Sequence, residues 1–311
     1  MKVYREISEF SKARSPVVTT GTFDGVHLGH QKIIHRMKEI AAEIGGETLI
    51  ITFFPHPRMI LHPEETWLKL LNTIPEKIEL LEGMGIDHLL ITPFTRDFSN
   101  LTSDEFVTRV LVERINCRKL VIGYDHHFGK DRKGSLASLR DLAPVFGFEV
   151  EEISKQDIED IAVSSTKIRN ALLAGDIATA SAYLRYHYPL TGTVMLGDQL
   201  GRTLGYPTAN LLISETYKLI PADGIYAVEV KVASGSYRGM LYIGNRPVVN
   251  GMNRSIEVNI FDFDDNIYSQ RIQIRLKHYI RGDRNFTNLE EMKVQMGLDR
   301  ERCLELLDSS R

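Results

Sequence analysis

Gly21-Thr22-Phe23-Asp24-Gly25-Val26-His27-Leu28-Gly29-His30 lies between an apolar run, Pro16 to Thr20, and an amphipathic run, Gln31 to Ile44. That order reads as a strand, a glycine-rich turn and a helix start. Gly21 and Gly25 can take positive φ or admit a ligand against bare backbone, where a Cβ would collide. The helix that follows offers unpaired N–H groups and the positive end of its dipole, so a phosphate is accommodated there. His27 and His30 fall on one face of the first turn, with Gly29 keeping the approach open. Two imidazoles beside one anion suit a reaction that builds negative charge on a phosphoryl group. Taken alone, the pair equally suits a helix cap or a metal ligand set. No G-x-x-x-x-G-K-[ST] occurs in the chain, so a P-loop does not compete for the reading.

Composition narrows the setting. A chain of 311 residues is long for one core and fits two domains, and its 43% hydrophobic and 25% charged residues are those of an ordinary globular protein. A net charge of −3, with a pI near 6.4, argues against broad binding to nucleic acid or to an anionic membrane. Any anionic ligand is then held by local groups. Cys117 and Cys303 are far apart and form no metal-type spacing, which points to reduced thiols in a cytoplasmic setting. Met1 to Glu6 carries charge where a signal peptide needs an apolar run, and no stretch reaches membrane-spanning length. Small molecules are the expected partners, with no nucleic acid and no membrane, and there is room for a weak homo-oligomer.

The decapeptide resembles the H-x-G-H signature of the nucleotidyltransferase superfamily, and in full it is the form seen in bacterial FMN adenylyltransferases. From residue 16 to about 186 short apolar runs alternate with helical patterns, as a parallel α/β sheet requires. Glu47 to Phe54 reads as a strand closed by Pro55-His56-Pro57. A helix with Thr73 at its start carries Pro75, Ile78, Leu81 and Met84. Asp87 to Pro93 reads as a buried strand, Ser103 to Ile115 as a helix with an acidic first turn, and Lys119 to Gly123 as another strand. Strand ends in such a sheet are where ligands bind. His56 and Pro57 match the family's P-H-P turn. Gly123 to Gly134 reads alone as a solvated loop, yet it resembles the family's flavin-holding loop G-x-D-F-x-F-G-x-x-R-x-G, with Asp125 and Phe128 in place and His126 where a Phe is usual. Ser164-Ser165-Thr166-Lys167-Ile168-Arg169, opening a helix that stops at Gly175, matches the superfamily's second phosphate element S-S-T-x-I-R. An isolated Ser there would be a plain N-cap.

Around Ala182 to Pro189 the character changes to short alternating segments: Thr191 to Leu196, Tyr226 to Val232, Tyr237 to Ile243, Ile256 to Phe263 and Arg271 to His278. Turns marked by Gly235, Gly251 and Asp264-Asp265-Asn266 make this an antiparallel barrel or sandwich signature. Leu289 to Leu307 returns to helical spacing, expected to break near Gly297. Gly197, Gly201 and Gly205, spaced by four, suggest a loop whose backbone wraps an anion, or a hairpin with a long connection. The stretch through Arg202 to Asn210 resembles the G-R-x-L-G-x-P-T-A-N motif of riboflavin kinases, a six-stranded barrel family. Glu257 matches that family's catalytic Glu and, by strand alternation, shares a face with Asn259 and Phe261. Arg281 and Ile243 to Pro247 resemble further elements, the latter departing from the usual N-P-T at Arg246 and Val248.

The whole chain is thus similar to the bacterial bifunctional riboflavin kinase/FAD synthetases. The resemblance implies an α/β Rossmann-like nucleotidyltransferase domain over 1–186, followed over 187–311 by an all-β six-stranded antiparallel barrel, riboflavin kinase-like, with C-terminal helices. It implies that the barrel phosphorylates riboflavin to FMN with Mg·ATP and that the first domain adenylylates FMN to FAD with release of pyrophosphate. His27, His30 and Glu257 are the implied catalytic residues. Gly21, Thr22, Phe23, Asp24 and Gly29 would hold the nucleotide, Ser165, Thr166 and Arg169 the leaving pyrophosphate, and His56, Pro57, Asp125 and Phe128 the flavin. In the barrel, Gly197, Gly201, Arg202, Gly205, Thr208 and Asn210 would bind ATP, with Thr208 and Asn210 also on Mg²⁺ and Arg281 on the flavin. Two alternatives stay open: a nucleotidyltransferase acting on another substrate, such as pantetheine phosphate or glycerol phosphate, and a flavin-binding regulatory protein without turnover.

Overall fold

Val17–Thr20 and Leu49–Ile51 are buried at consecutive positions, which suits strands covered on both faces, the condition of a parallel sheet. The computed structural model describes residues 1–65, 67–124, 128–130, 134–153, 163–197, 201, 205–248 and 251–309, side chains at 245–248 and 251–253 excepted. The expected site residues Asp125 and Arg202, and the departures His126 and Arg246 as side chains, lie outside it. The chain divides into two compact units, Met1–Leu70 with Ile74–Ser164, and Leu71–Thr73 with Ser165–Arg311.

In the first unit the strands are β1 (Lys2–Tyr4), β2 (Val17–Thr20), β3 (Thr48–Phe54), β4 (His88–Pro93), β5 (Lys119–Gly123) and β6 (Glu149–Ile153). They form one sheet in the order β1-β4-β3-β2-β5-β6, every pairing parallel. The helices are α1 (Leu28–Ile44), α2 (Pro57–Leu61), α3 (Ile74–Gly83), α4 (Arg96–Ser99), α5 (Ser103–Glu105) and α6 (Leu136–Phe146). Alternation along the strands makes two cores. Val18, Leu49, Ile51, Leu120 and Ile122 meet Phe106 and Leu111 on one face, while Val17, Ile50, Leu89 and Val121 meet Ile34, Met37 and Ile40 of α1 on the other. From β2 the order runs outward both ways, so the crevice beyond its carboxyl end is the switch point where open α/β sheets bind ligands.

One expected element differs in kind. A capping box at Thr102 and Glu105 starts the helix expected over Ser103 to Ile115, but after α5 the winding widens to i→i+5 through Phe106–Arg114. Val107, Thr108, Val110 and Val112 are β-branched, and the wider turn eases their crowding against the preceding residues.

The second unit begins with α7 (Ser165–Leu173) and α8 (Ile177–Leu184) and then forms a closed antiparallel barrel. Its strands are β7 (Pro189–Met195), β8 (Ala209–Leu212), β9 (Gly224–Val232), β10 (Gly235–Val248), β11 (Gly251–Ile260) and β12 (Arg271–Arg281), in the order β10-β11-β8-β7-β12-β9. Ile225, Ala227, Met240 and Phe261 pack with Cys303 and Leu307 of α9 (Leu289–Asp308), while the alternate set, Tyr226, Val228, Leu241, Ile243 and Val258, is buried on the other face. Strand β8 is embedded in the Pro207-Thr208-Ala209-Asn210 motif and too short to show a period.

The expected break at Gly297 is absent, and one continuous helix stands where C-terminal helices are expected. A lone glycine costs about 1 kcal/mol against alanine in a helix, which burial of Asp299, Cys303 and Leu307 offsets. Cys117 and Cys303 are both free and buried. Among the described residues no helix is long and apolar enough to cross a membrane.

Candidate active sites

In the first unit, Gly21 follows β2 directly and the turn leads into α1 with His27 as N-cap residue. The turn is strained: φ is 45° at Phe23, 83° at Gly25 and 36° at Val26. Positive φ at a β-branched residue is rare enough to suggest a functional constraint. Gly25 is therefore the left-handed glycine expected. Gly21 serves instead by close approach, since a Cβ there would stand 3.3 Å from the Phe23 ring. Its carbonyl neighbour Thr22 accepts from Thr52 Oγ1 at 3.1 Å and from Lys77 Nζ at 2.6 Å.

His27 makes no side-chain cap to the helix. Its ring instead stacks on His30 at 3.8 Å and 18°, with the Phe23 ring tilted 38° against His30 at 4.8 Å. His30 Nδ1 is buried with no hydrogen-bond partner among the described residues. Burial first, then the adjacent His27 and Lys77, holds His30 well below the ordinary imidazole range. An anion held beside the pair would favour the charged imidazolium form that this surrounding otherwise disfavours. Gly29 is buried in the same helix turn and Asp24 is buried in the loop.

Lys77 is the residue the sequence reading missed. It lies on the buried stripe of α3 with Ile74 and Leu81, and a lysine at a core-facing position is the signal that could have found it. At the end of β3, His56 caps α2 by accepting from Arg58 N at 3.2 Å, with Pro57 at the first helical position. Phe128 is buried against Phe106 at 5.7 Å and bridges to Gly134.

In the second unit, Ser165, Thr166 and Arg169 lie in the first turns of α7, whose buried side is Ile168 and Leu172. The barrel gathers the kinase-type residues. Asn210 stands directly opposite Glu257 across β8 and β11, and Thr208 precedes it by two positions on the same face. Thr208 Oγ1 donates to Glu257 Oε2 at 3.3 Å and Ser255 Oγ donates to Oε1 at 2.5 Å. Glu257 is only 4% exposed, so it is no ordinary solvent-face glutamate. It shares its face with Asn259, as alternation predicts, and Asn259 Nδ2 donates to the Pro207 carbonyl at 2.7 Å.

Glycines fit this cluster by close approach. A Cβ on Gly197 would lie 2.1 Å from Asn210 Nδ2, and one on Gly201 would lie 2.3 Å from the Tyr206 carbonyl; Gly205 has φ +87°. Thr208, Glu257 and Asn259 open on a cavity of about 150 Å³ that also meets Tyr242, Arg281 and Met296. Arg281 is clamped by Asp299, Nε to Oδ1 at 2.9 Å and Nη2 to Oδ2 at 2.6 Å. Asp299, from α9, had no signal in the sequence pattern beyond being an acid on a helix.

Among the described residues no three His, Cys, Asp or Glu cluster as a metal cage. The hydroxyl and amide oxygens of Thr208 and Asn210 beside Glu257 are hard donors, and Mg²⁺ characteristically completes such a partial set with water and substrate phosphate.

The comparisons agree with both halves. The FAD synthetase family model matches residues 9–167 and the riboflavin kinase model matches residues 184–307. Curated relatives called bifunctional riboflavin kinase/FMN adenylyltransferase include one from Listeria monocytogenes, 37% identical over 91% of this chain and 90% of that protein. One from Escherichia coli is 32% identical over 96% of each. A crystal structure described as a macrolide-efflux protein from Streptococcus pneumoniae superposes with a TM-score of 0.84 and 30% identity, covering 96% of this chain and 97% of that one.

Proposed function

The chain belongs to the family of bifunctional riboflavin kinases/FMN adenylyltransferases, and from that premise we infer how its residues divide the two reactions. The enzyme phosphorylates riboflavin with ATP to give FMN and adenylylates FMN with a second ATP to give FAD and pyrophosphate. Residues 1–186 serve the second reaction and 187–311 the first.

In the barrel the 5′-hydroxyl of riboflavin attacks the γ-phosphorus, and ADP leaves. Glu257 orients that hydroxyl and accepts its proton, which suits a buried carboxylate already accepting two hydroxyl hydrogen bonds. Thr208 and Asn210 would hold Mg²⁺ and the phosphates, with Gly197, Gly201 and Gly205 giving the backbone room, and the ion when bound would supply positive charge to offset that of the transferring phosphate. Arg281, fixed by Asp299, faces the flavin.

In the first domain an oxygen of the FMN phosphate attacks the α-phosphorus of ATP, and pyrophosphate departs without a covalent intermediate. Main-chain groups of Gly21 to Asp24 and Gly29 seat the nucleotide. His27 and His30 stabilise the charge that builds at phosphorus. His56, Pro57 and Phe128 are assigned to the flavin. Ser165, Thr166 and Arg169 keep their pyrophosphate role on the sequence match alone. The setting is cytoplasmic, with small molecules as partners rather than nucleic acid or membrane, and with weak self-association at most.

The observation that carries the division is that one unit holds stacked imidazoles at a strand end and the other a buried carboxylate bonded by two hydroxyls. Incubation with riboflavin, ATP and Mg²⁺, with the flavins separated by chromatography, should give FMN and then FAD. Flavin binding without ATP consumption would instead mark a regulatory protein.

A further inference from the structure

Lys77 is 4% exposed, and among the described residues its ammonium forms no ion pair and a single hydrogen bond, to the Thr22 carbonyl at 2.6 Å. Three N–H groups are available on a lysine, so two are unsatisfied. A buried ammonium forfeits its hydration, and a chain that keeps one there expects a counter-charge to arrive. On α3 its stripe neighbours Ile74 and Leu81 are apolar and Glu76 is buried beside it, while the charge acting on the ammonium is that of Asp24, with no ion pair formed among the described residues. What Lys77 does touch is the phosphate turn itself, two residues before Asp24 and five before His27.

We propose that Lys77 is a phosphate-contacting residue of adenylyl transfer, anchored on the Thr22 carbonyl and turning its remaining N–H groups to an oxygen of the triphosphate seated at Gly21 to His30. The proposal rests on reading that turn as the adenylyl-transfer site. In the step it serves, a bond forms from the FMN phosphate oxygen to the α-phosphorus of ATP, and the bond from that phosphorus to the bridging oxygen of pyrophosphate breaks. The electron pair leaves with pyrophosphate, and the fixed positive charge of Lys77 offsets the negative charge as it develops.

The groups electrostatically coupled to Lys77 are Asp24 from the turn and His30 from α1. Burial pulls the ammonium down to about 8, with Asp24 opposing, while His30 stays well below its ordinary range and is neutral through that window. The protonated lysine is therefore present below about 8 and lost as pH rises through it.

The test follows kcat/KM for ATP in FAD formation from supplied FMN, between about pH 6.5 and 9.5, in the full chain and its Lys77→Met and Lys77→Arg variants. Riboflavin phosphorylation by the same preparations serves as the folding control. The parent should lose efficiency above about pH 8. Lys77→Met should fall by about 100-fold or more and lose the alkaline limb, with the kinase unchanged. Lys77→Arg should keep activity while its limb moves beyond the window, because a guanidinium does not titrate there. Lys77→Met within about threefold of the parent would overturn the proposal. So would an alkaline limb that persists in Lys77→Arg, and that variant decides the matter alone if Lys77→Met fails to fold. A parent that makes no FAD at any pH would bring down the site reading and the proposal with it, and that case is recognisable because the defect precedes any substitution.

Discussion

Around His27 and His30 the described polar groups include the imidazoles, main-chain N–H groups, the Lys77 ammonium and the buried Asp24 carboxylate, whereas around Glu257 they include hydroxyls, amides and two arginines, Arg281 and Arg284, each ion-paired to an acid of α9. The first set holds an ammonium with no ion pair among the described residues, while in the second both arginines are already paired. Under the proposed roles a triphosphate would meet the Lys77 ammonium and a turn held in strained backbone at Phe23 and Val26 in the first. In the second, under those roles, Thr208 and Asn210 would hold a Mg²⁺ ion as the cationic partner of the phosphates. The two sites thus differ in which charges are left unpaired, and each should respond to its own substitutions.

Removing the carboxylate should have the largest effect. Glu257→Ala is expected to cost the kinase about 10²- to 10⁴-fold in kcat, with FAD formation from supplied FMN intact; initial rates of FMN production decide it, and retained phosphorylation would remove Glu257 from its role. Next come His27→Ala and His30→Ala, each expected to lower FAD formation by about 10²- to 10³-fold while riboflavin phosphorylation survives. Equal loss of both activities in a folded variant would erase the contrast.

Smaller effects sharpen it. Gly197→Ala puts a Cβ 2.1 Å from the Asn210 amide, which must swing away from its place opposite Glu257. A kinase loss of about 10- to 100-fold follows from such misplacement, with adenylylation unaffected. Gly21→Ala meets only the edge of the Phe23 ring at 3.3 Å, so FAD formation should drop by no more than about threefold. The two steady-state assays run side by side rank these glycines, and a reversed order would mean that the closest approaches were misjudged.

Much of this was legible in the residues. The turn from Gly21 to His30 announced a strand end, a phosphate-type loop and a helix start because each signal is local. Thr208, Asn210 and Glu257 were legible as types, and Glu257 as sharing a strand face with Asn259, but Thr208 and Asn210 were not legible as its neighbours, since the register that sets Asn210 against Glu257 depends on how the barrel strands pair. Lys77 and Asp299 were missed for a related reason: each sits on an unremarkable helix and reaches its partner across 55 and 18 residues of chain. The wide winding at Phe106–Arg114 escaped because β-branched crowding shifts hydrogen bonds without changing which residues are buried. At Gly297 the local helix-breaking signal was real and packing outweighed it.

Mixing the two single-site variants tests the independence of the sites most directly. His30→Ala and Glu257→Ala are incubated separately and together with riboflavin, ATP and Mg²⁺, and the flavins are resolved by chromatography. The first alone should stop at FMN and the second should leave riboflavin, while the mixture should yield FAD, because FMN made on one chain is consumed on the other. A mixture that makes no FAD, although each variant still performs its surviving half-reaction, would contradict two separate sites linked only by diffusing FMN.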